Sequence, residues 1–139
     1  MSRITPEQFE TLVREGVPLA AQLDPRAVRL EPGLAHIRIP FKPQFVRPGG
    51  TITGPIVMAL ADIAIYAAVM TRLGPVEAAV TTHLSVAFMR RPAPAPLRAE
   101  ARLLKLGKRL AFGDVLVFSE DDPEPVAHAS VTYAVPSEA

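Results

Sequence analysis

TGPIVMALADIAIYAAVM (residues 53–70) carries one ionisable side chain, Asp62, in an otherwise apolar run. Thr53 or Gly54 can cap a helix, Pro55 suits its first turn, and Gly74 stands just past its end, so the stretch predicts a helix over about 54–72. Asp62 is the only charged residue between Arg47 and Arg72, so the helix is apolar nearly all round and has to be wrapped on most sides. The apolar run from Ile56 to Met70 is 15 residues, short of the roughly 20 a bilayer requires. An aspartate at the bilayer centre would also cost a few kcal/mol. A core helix, without a membrane partner, is the expectation.

The flanking segments supply the sheet that such a helix needs. TPEQFETLVREG (residues 5–16) has Thr5 and Gln8 at capping-box spacing and Pro6 at the first helical position, which predicts a short N-terminal helix packing through Phe9, Leu12 and Val13. AVRLEPGLAHIRIPF (residues 27–41) alternates on both sides of Pro32-Gly33, a hairpin over about 27–40. KPQFVRPGGTITGP (residues 42–55) holds too many prolines and glycines for a regular element and forms a shaped loop into the core helix. Beyond that helix, four strand-like runs are joined by PAPAP, GKR and DDPEP, a pattern of short turns that favours antiparallel pairing. One curved antiparallel sheet around one buried helix, in one domain over residues 1–139, is the simplest architecture.

Composition limits the functional classes. The chain has 139 residues, 49% of them hydrophobic and 21% charged, with a formal net charge of +1. That balance suits a soluble globular protein and supplies no strong field for nucleic acid. With no cysteine there is no disulfide, thiol nucleophile or cysteine-ligated metal. MSRITPEQFE lacks the apolar core of a secretory signal, so the cytoplasm is the expected location. His36, His83 and His128 stand at no metal-like spacing, and no Gly-x-Ser-x-Gly elbow is present. Neither a metal site nor serine-hydrolase chemistry is expected.

The order of these elements, with an internal Asp in the long helix, resembles the hotdog fold and specifically the acyl-CoA thioesterases of the PaaI type. The resemblance covers nearly the whole chain and is sharpest over residues 47–62. There the family has Asn, a glycine-containing loop, His-Gly-Gly, six intervening residues and a helical Asp or Glu. Here those places hold Arg47, PGGTI, Thr53-Gly54-Pro55 and Asp62. MALADIAIYAA is similar to the family's helix, SVAFMRRP to its Phe-Leu-Arg-Pro strand end, and LLKLGKRLAFGDVLVF to its Gly-Arg hairpin.

The resemblance implies an α+β hotdog domain that hydrolyses an acyl- or aroyl-CoA thioester without metal or organic cofactor. Asp62 would attack or activate water, Gly54 would offer its amide to the thioester oxygen at a helix start, and Thr81 would orient the water. Arg47, Thr53 and Pro55 would lie beside the substrate, Phe45 would help line the acyl pocket, and Arg90, Arg91 and Lys108 would meet the coenzyme A phosphates. Pro55 has no amide hydrogen to offer, and a guanidinium at Arg47 could pair with Asp62. Gly54 and Asp62 are eight residues apart, a rise of roughly 12 Å on one helix. One carbonyl cannot touch both, so the mechanism requires at least a dimer, in keeping with the homodimers and homotetramers the resemblance implies.

Three other readings compete. Without the resemblance, Asp62 is a buried carboxylate satisfied by backbone or by Arg47. The altered motif could leave a non-catalytic protein that binds acyl-CoA or another apolar ligand. A hotdog hydratase would want a histidine paired with the carboxylate, and no helical histidine is present.

Overall fold

The structure is a computed structural model that describes residues 1–136. Helix α1 (Pro6–Gly16) starts as its sequence predicts: Thr5 Oγ1 accepts from the Gln8 amide, and the Gln8 side chain accepts from the Thr5 amide. It buries Phe9 and Val13. A four-residue helix absent from the sequence expectations, α2 (Pro18–Ala21), follows. Strands β1 (Arg26–Glu31) and β2 (Leu34–Ile39) form the expected hairpin, with Gly33 at φ 78 in the turn. The loop beyond contains a 3-10 turn over Pro43–Phe45 and leads into α3 (Gly54–Leu73), capped by an extended Thr53 and ended at Gly74. Strands β3 (Val80–Phe88), β4 (Leu97–Leu106), β5 (Leu110–Ser119) and β6 (Ala127–Ala134) complete the domain.

All six strands pair antiparallel in the order β1-β2-β4-β5-β6-β3. The chain therefore leaves the β2 side, crosses beneath the sheet as α3, and returns to it at the opposite edge as β3. This is the hotdog fold: a curved sheet wrapped around a long helix. By length and composition α3 could cross a membrane, but Leu60, Ala64, Ile65, Ala67, Ala68 and Met70 are completely enclosed by the sheet and neighbouring elements. The residues left exposed on it are Pro55, Met58 and Arg72, and half-buried Asp62 continues the stripe begun by the first two.

Small residues let the helix approach the sheet. Ala35, Ala99, Ala101, Ala111 and Ala129 all point inward and are buried. At Gly113 even a methyl group is excluded, because a Cβ there would lie 2.4 Å from the Arg102 carbonyl oxygen and 2.9 Å from Ile65 Cδ1. Gly113→Ala is therefore expected to destabilise the fold by about 1–3 kcal/mol, the cost of overpacking. Chemical denaturation checks this; an unchanged midpoint would mean that β4 and α3 yield at that point.

Strand β3 has no strand beyond it and is exposed along most of its length, with Val80 at 56% and Phe88 at 53% of full exposure. A long exposed edge with its backbone groups unpaired is a ready template for pairing with another chain.

Candidate active site

Asp62 lies in the third turn of α3, with its side chain on the stripe that the sheet does not cover. Two hydroxyls from different strands converge on its Oδ1. Thr81 Oγ1 donates from β3 at 2.5 Å, and the Tyr133 phenol donates from β6 at 2.8 Å. The two donors sit opposite each other because Thr81 is the cross-strand partner of Tyr133. A register shift between Thr81 and His83 then turns Thr82 out of the ladder, where it donates to the Thr132 carbonyl. Among the described residues no donor reaches Asp62 Oδ2 and no cation pairs with the carboxylate. One oxygen is thus fixed and the other is left to act.

Tyr133, only 3% exposed, stacks on Tyr66 at 5.9 Å between ring centroids, and the Tyr66 hydroxyl donates to the Glu77 carbonyl at 3.0 Å. Burial, and after it the charge of Asp62, pushes the Tyr133 phenol far above its ordinary value. Burial likewise raises Tyr66, with smaller contributions from Glu77 and Asp62. Tyr133 consequently keeps its proton and remains a donor to the carboxylate. Tyr133→Phe removes that donor while preserving the ring. Hydrogen bonds to a charged group are worth about 1.5–3 kcal/mol, so we expect kcat/KM for any substrate turned over at Asp62 to fall by about 10- to 150-fold. A variant with wild-type kcat/KM would show that Thr81 alone suffices to hold Asp62.

Beside this constellation is a cavity of about 260 Å³, bounded by α1–α2, α3, the segment before β3 and Tyr133. Phe45, expected in the acyl pocket, is absent from its walls; it is 4% exposed and belongs to the core.

Gly54 is the first residue of α3, and its amide has no partner among the described residues. Positive partial charge at a helix start makes that free amide suited to a developing oxyanion. The Thr53 hydroxyl makes no cap bond and Pro55 occupies the second helical position, so Gly54 is the available donor there. Arg47 is exposed at the start of a tight loop closed by the Val46–Ile52 bridge, in which the Arg47 amide donates to Thr51 and the Gly50 amide to Arg47. The possible pairing of Arg47 with Asp62 is not made within the chain.

The remaining basic residues do not form one patch. Arg90 is held by Asp122 at 3.0 Å and Glu124 at 3.3 Å, while Arg91 is exposed and without an ion pair among the described residues. Lys108 lies in the β4–β5 turn at the other end of β6: the Arg90 amide donates to Val126 before that strand, and the Val135 amide to Arg109 after it. The expected grouping of Arg90, Arg91 and Lys108 fails within one chain because the strand order places them a full strand apart.

Tyr133 is the site residue that the sequence analysis missed. The period-two alternation of AHASVTYA is the signal that puts Tyr133 on the buried face with Ala129 and Val131, but its contact with a residue 71 positions earlier depends on the register of β3 against β6.

The structure thus presents a carboxylate oriented by two hydroxyls, beside a largely apolar cavity, on a hotdog scaffold. Residues 49–126 match the family model for the thioesterase superfamily, and the chain belongs to that family of thioester hydrolases. A protein of Saccharolobus solfataricus named "Putative esterase SSO2140" is 33% identical over 107 residues, covering 77% of this chain and 76% of that protein. The crystal structure of a "putative thioesterase" from Silicibacter sp. TM1040 superposes with a TM-score of 0.87 at 38% identity, over 98% of this chain and 94% of the other. A single-substitution mutant of the phenylacetic acid degradation protein PaaI from Thermus thermophilus gives a TM-score of 0.75 at 28% identity, over 86% of this chain and 99% of the other.

Proposed function

We propose that the protein hydrolyses acyl-CoA thioesters to free acid and coenzyme A, and that its active site is shared between two copies of the chain. The observation that carries this is the Asp62 carboxylate, its Oδ1 fixed by Thr81 and Tyr133 and its Oδ2 free beside an apolar cavity. In the general-base route, Oδ2 takes a proton from water as the water oxygen bonds to the thioester carbon. The carbonyl electrons move onto oxygen, and collapse of that oxyanion breaks the C–S bond. The proton on Asp62 then passes to the departing thiolate. In the nucleophilic route Oδ2 itself bonds to the carbon, the C–S bond breaks and the thiolate leaves; water then cleaves the resulting anhydride, restoring the Asp62 carboxylate, releasing the acid and giving a proton to the thiolate. Oxygen-18 from water enters Asp62 in a single turnover only by the second route.

The oxyanion needs a donor, and the edge strand suggests its source. Thr81, near one end of β3, touches Asp62; Phe88, at the other end, touches Gly54, where a Cβ would lie 3.5 Å from the Phe88 ring. If two β3 edges pair antiparallel, the Thr81 end of one meets the Phe88 end of the other. That pairing carries Gly54 of the partner subunit toward Asp62 and covers exposed Phe88, Met58 and Val80. It also turns the partner's Arg91 toward the end of the sheet that holds Lys108, which supports a phosphate-binding role spread over two chains.

Free-thiol release from a panel of acyl-CoAs tests the function, and the absence of cysteine removes any background from the protein. Release from at least one thioester is expected. Saturable binding without release across the panel would instead make this a ligand-binding member of the family.

A further inference from the structure

We infer that the chamber beneath α1 and α2 is the acyl pocket, and that it selects a compact, uncharged acyl group whose length is limited by Val17 and Ala20. The inference rests on the hydrolase reading of Asp62 and adds the class of substrate.

Charge, shape and size agree. The chamber begins at Asp62 and is otherwise walled by Val13, Val17, Ala20, Ile63, Tyr66 and Tyr133 together with the segment from Glu77 to Thr81. Its charged lining groups are two carboxylates, Asp62 and Glu77, so the phosphate-bearing end of the substrate is repelled and the acyl end is accepted. The same repulsion disfavours an acyl group that ends in its own carboxylate. Tyr66 and Tyr133, stacked at 5.9 Å between ring centroids, both contribute aromatic surface to the lining, suited to an aromatic or alicyclic group. A cavity of about 150 Å³ accepts benzene. The 260 Å³ here therefore holds roughly one ring with a short linker, or an alkyl chain of similar bulk.

Val17 and Ala20 come from the junction of α1 and α2 and are both half-buried, so a change of size there alters the chamber without opening the core. Side chains that bound one end of a pocket discriminate between neighbouring chain lengths by about tenfold or more.

The test is kcat/KM for butanoyl-, octanoyl-, palmitoyl-, phenylacetyl- and glutaryl-CoA with wild type, Ala20→Phe and Val17→Ala, alongside affinities for the matching non-hydrolysable S-alkyl-CoA thioethers. Wild type is expected to favour octanoyl- and phenylacetyl-CoA over palmitoyl- and glutaryl-CoA by about tenfold or more. Ala20→Phe lowers octanoyl-CoA turnover by a similar factor and leaves butanoyl-CoA within about twofold. Val17→Ala shifts the profile toward longer chains. Length profiles parallel to wild type in both variants, or equal losses for butanoyl and octanoyl groups, overturn the inference. If wild type cleaves no thioester, the hydrolase reading fails separately. The thioethers then decide: length-selective binding altered by Ala20→Phe sustains the pocket, and affinities unaffected by length or variant overturn it.

Discussion

Asp62→Asn should reduce thiol release by about 100-fold or more, the scale of a lost general base, while leaving the fold in place. The asparagine matches the carboxylate in shape. With its amide oxygen toward Thr81 and Tyr133 it still accepts both hydroxyls, the pair that now holds Oδ1 at 2.5 and 2.8 Å. What it loses is the charge at the oxygen that no donor occupies, which both the general-base and the nucleophilic routes require. The loss should fall on kcat, with thioether affinity nearly unchanged, because the acyl and coenzyme A contacts survive. A variant that unfolds would be uninformative about chemistry, so circular dichroism and a denaturation midpoint accompany the assay. A folded Asp62→Asn protein with wild-type turnover would remove Asp62 from the reaction.

The second large effect is expected from the β3 edge. Ser85→Lys combined with Ala87→Lys places two cations from each copy at the proposed seam, and charge on an edge strand blocks further pairing. Both residues are exposed, and Ser85 pairs with Ser130 and Ala87 with His128 on the side that stays intact, so the protomer should fold. The double variant should sediment as a monomer and lose about 10²–10³ in kcat, the effect of removing an oxyanion donor. A monomer with full activity would place every catalytic group in one chain. An unchanged dimer would locate the interface elsewhere.

The sequence made the core helix and its carboxylate legible because a lone charge in an apolar run is a strong signal, and the Pro-Gly turn and alternating strands were equally readable. Helix α2 was not, since four residues have no periodicity to detect. The placement of Arg90, Arg91 and Lys108 required the strand order, which periodicity does not carry: β3 lies beside β6 at the edge, so residues after β3 and residues between β4 and β5 end up at opposite ends of β6. Phe45 was misplaced for a related reason, because a loop phenylalanine can seal the core as readily as line a pocket. Thr81 could be selected through family resemblance, but its proton acceptor and its companion Tyr133 are products of tertiary register.

The central claim is that each site combines Asp62 of one chain with Gly54 of another, and subunit complementation tests it most directly. Asp62→Asn and Gly54→Pro, each nearly inactive as a homodimer, are mixed, dissociated and reassociated. Proline removes the Gly54 amide, and the preceding Thr53 is already extended, as a residue before proline should be. In a shared site, every mixed dimer holds one doubly defective and one intact pair. With half the dimers mixed, activity should recover to about a quarter of wild type. If the mixture stays as inactive as its parents while exchange is verified by mass-tagged subunits, Asp62 and Gly54 do not serve one thioester from two chains.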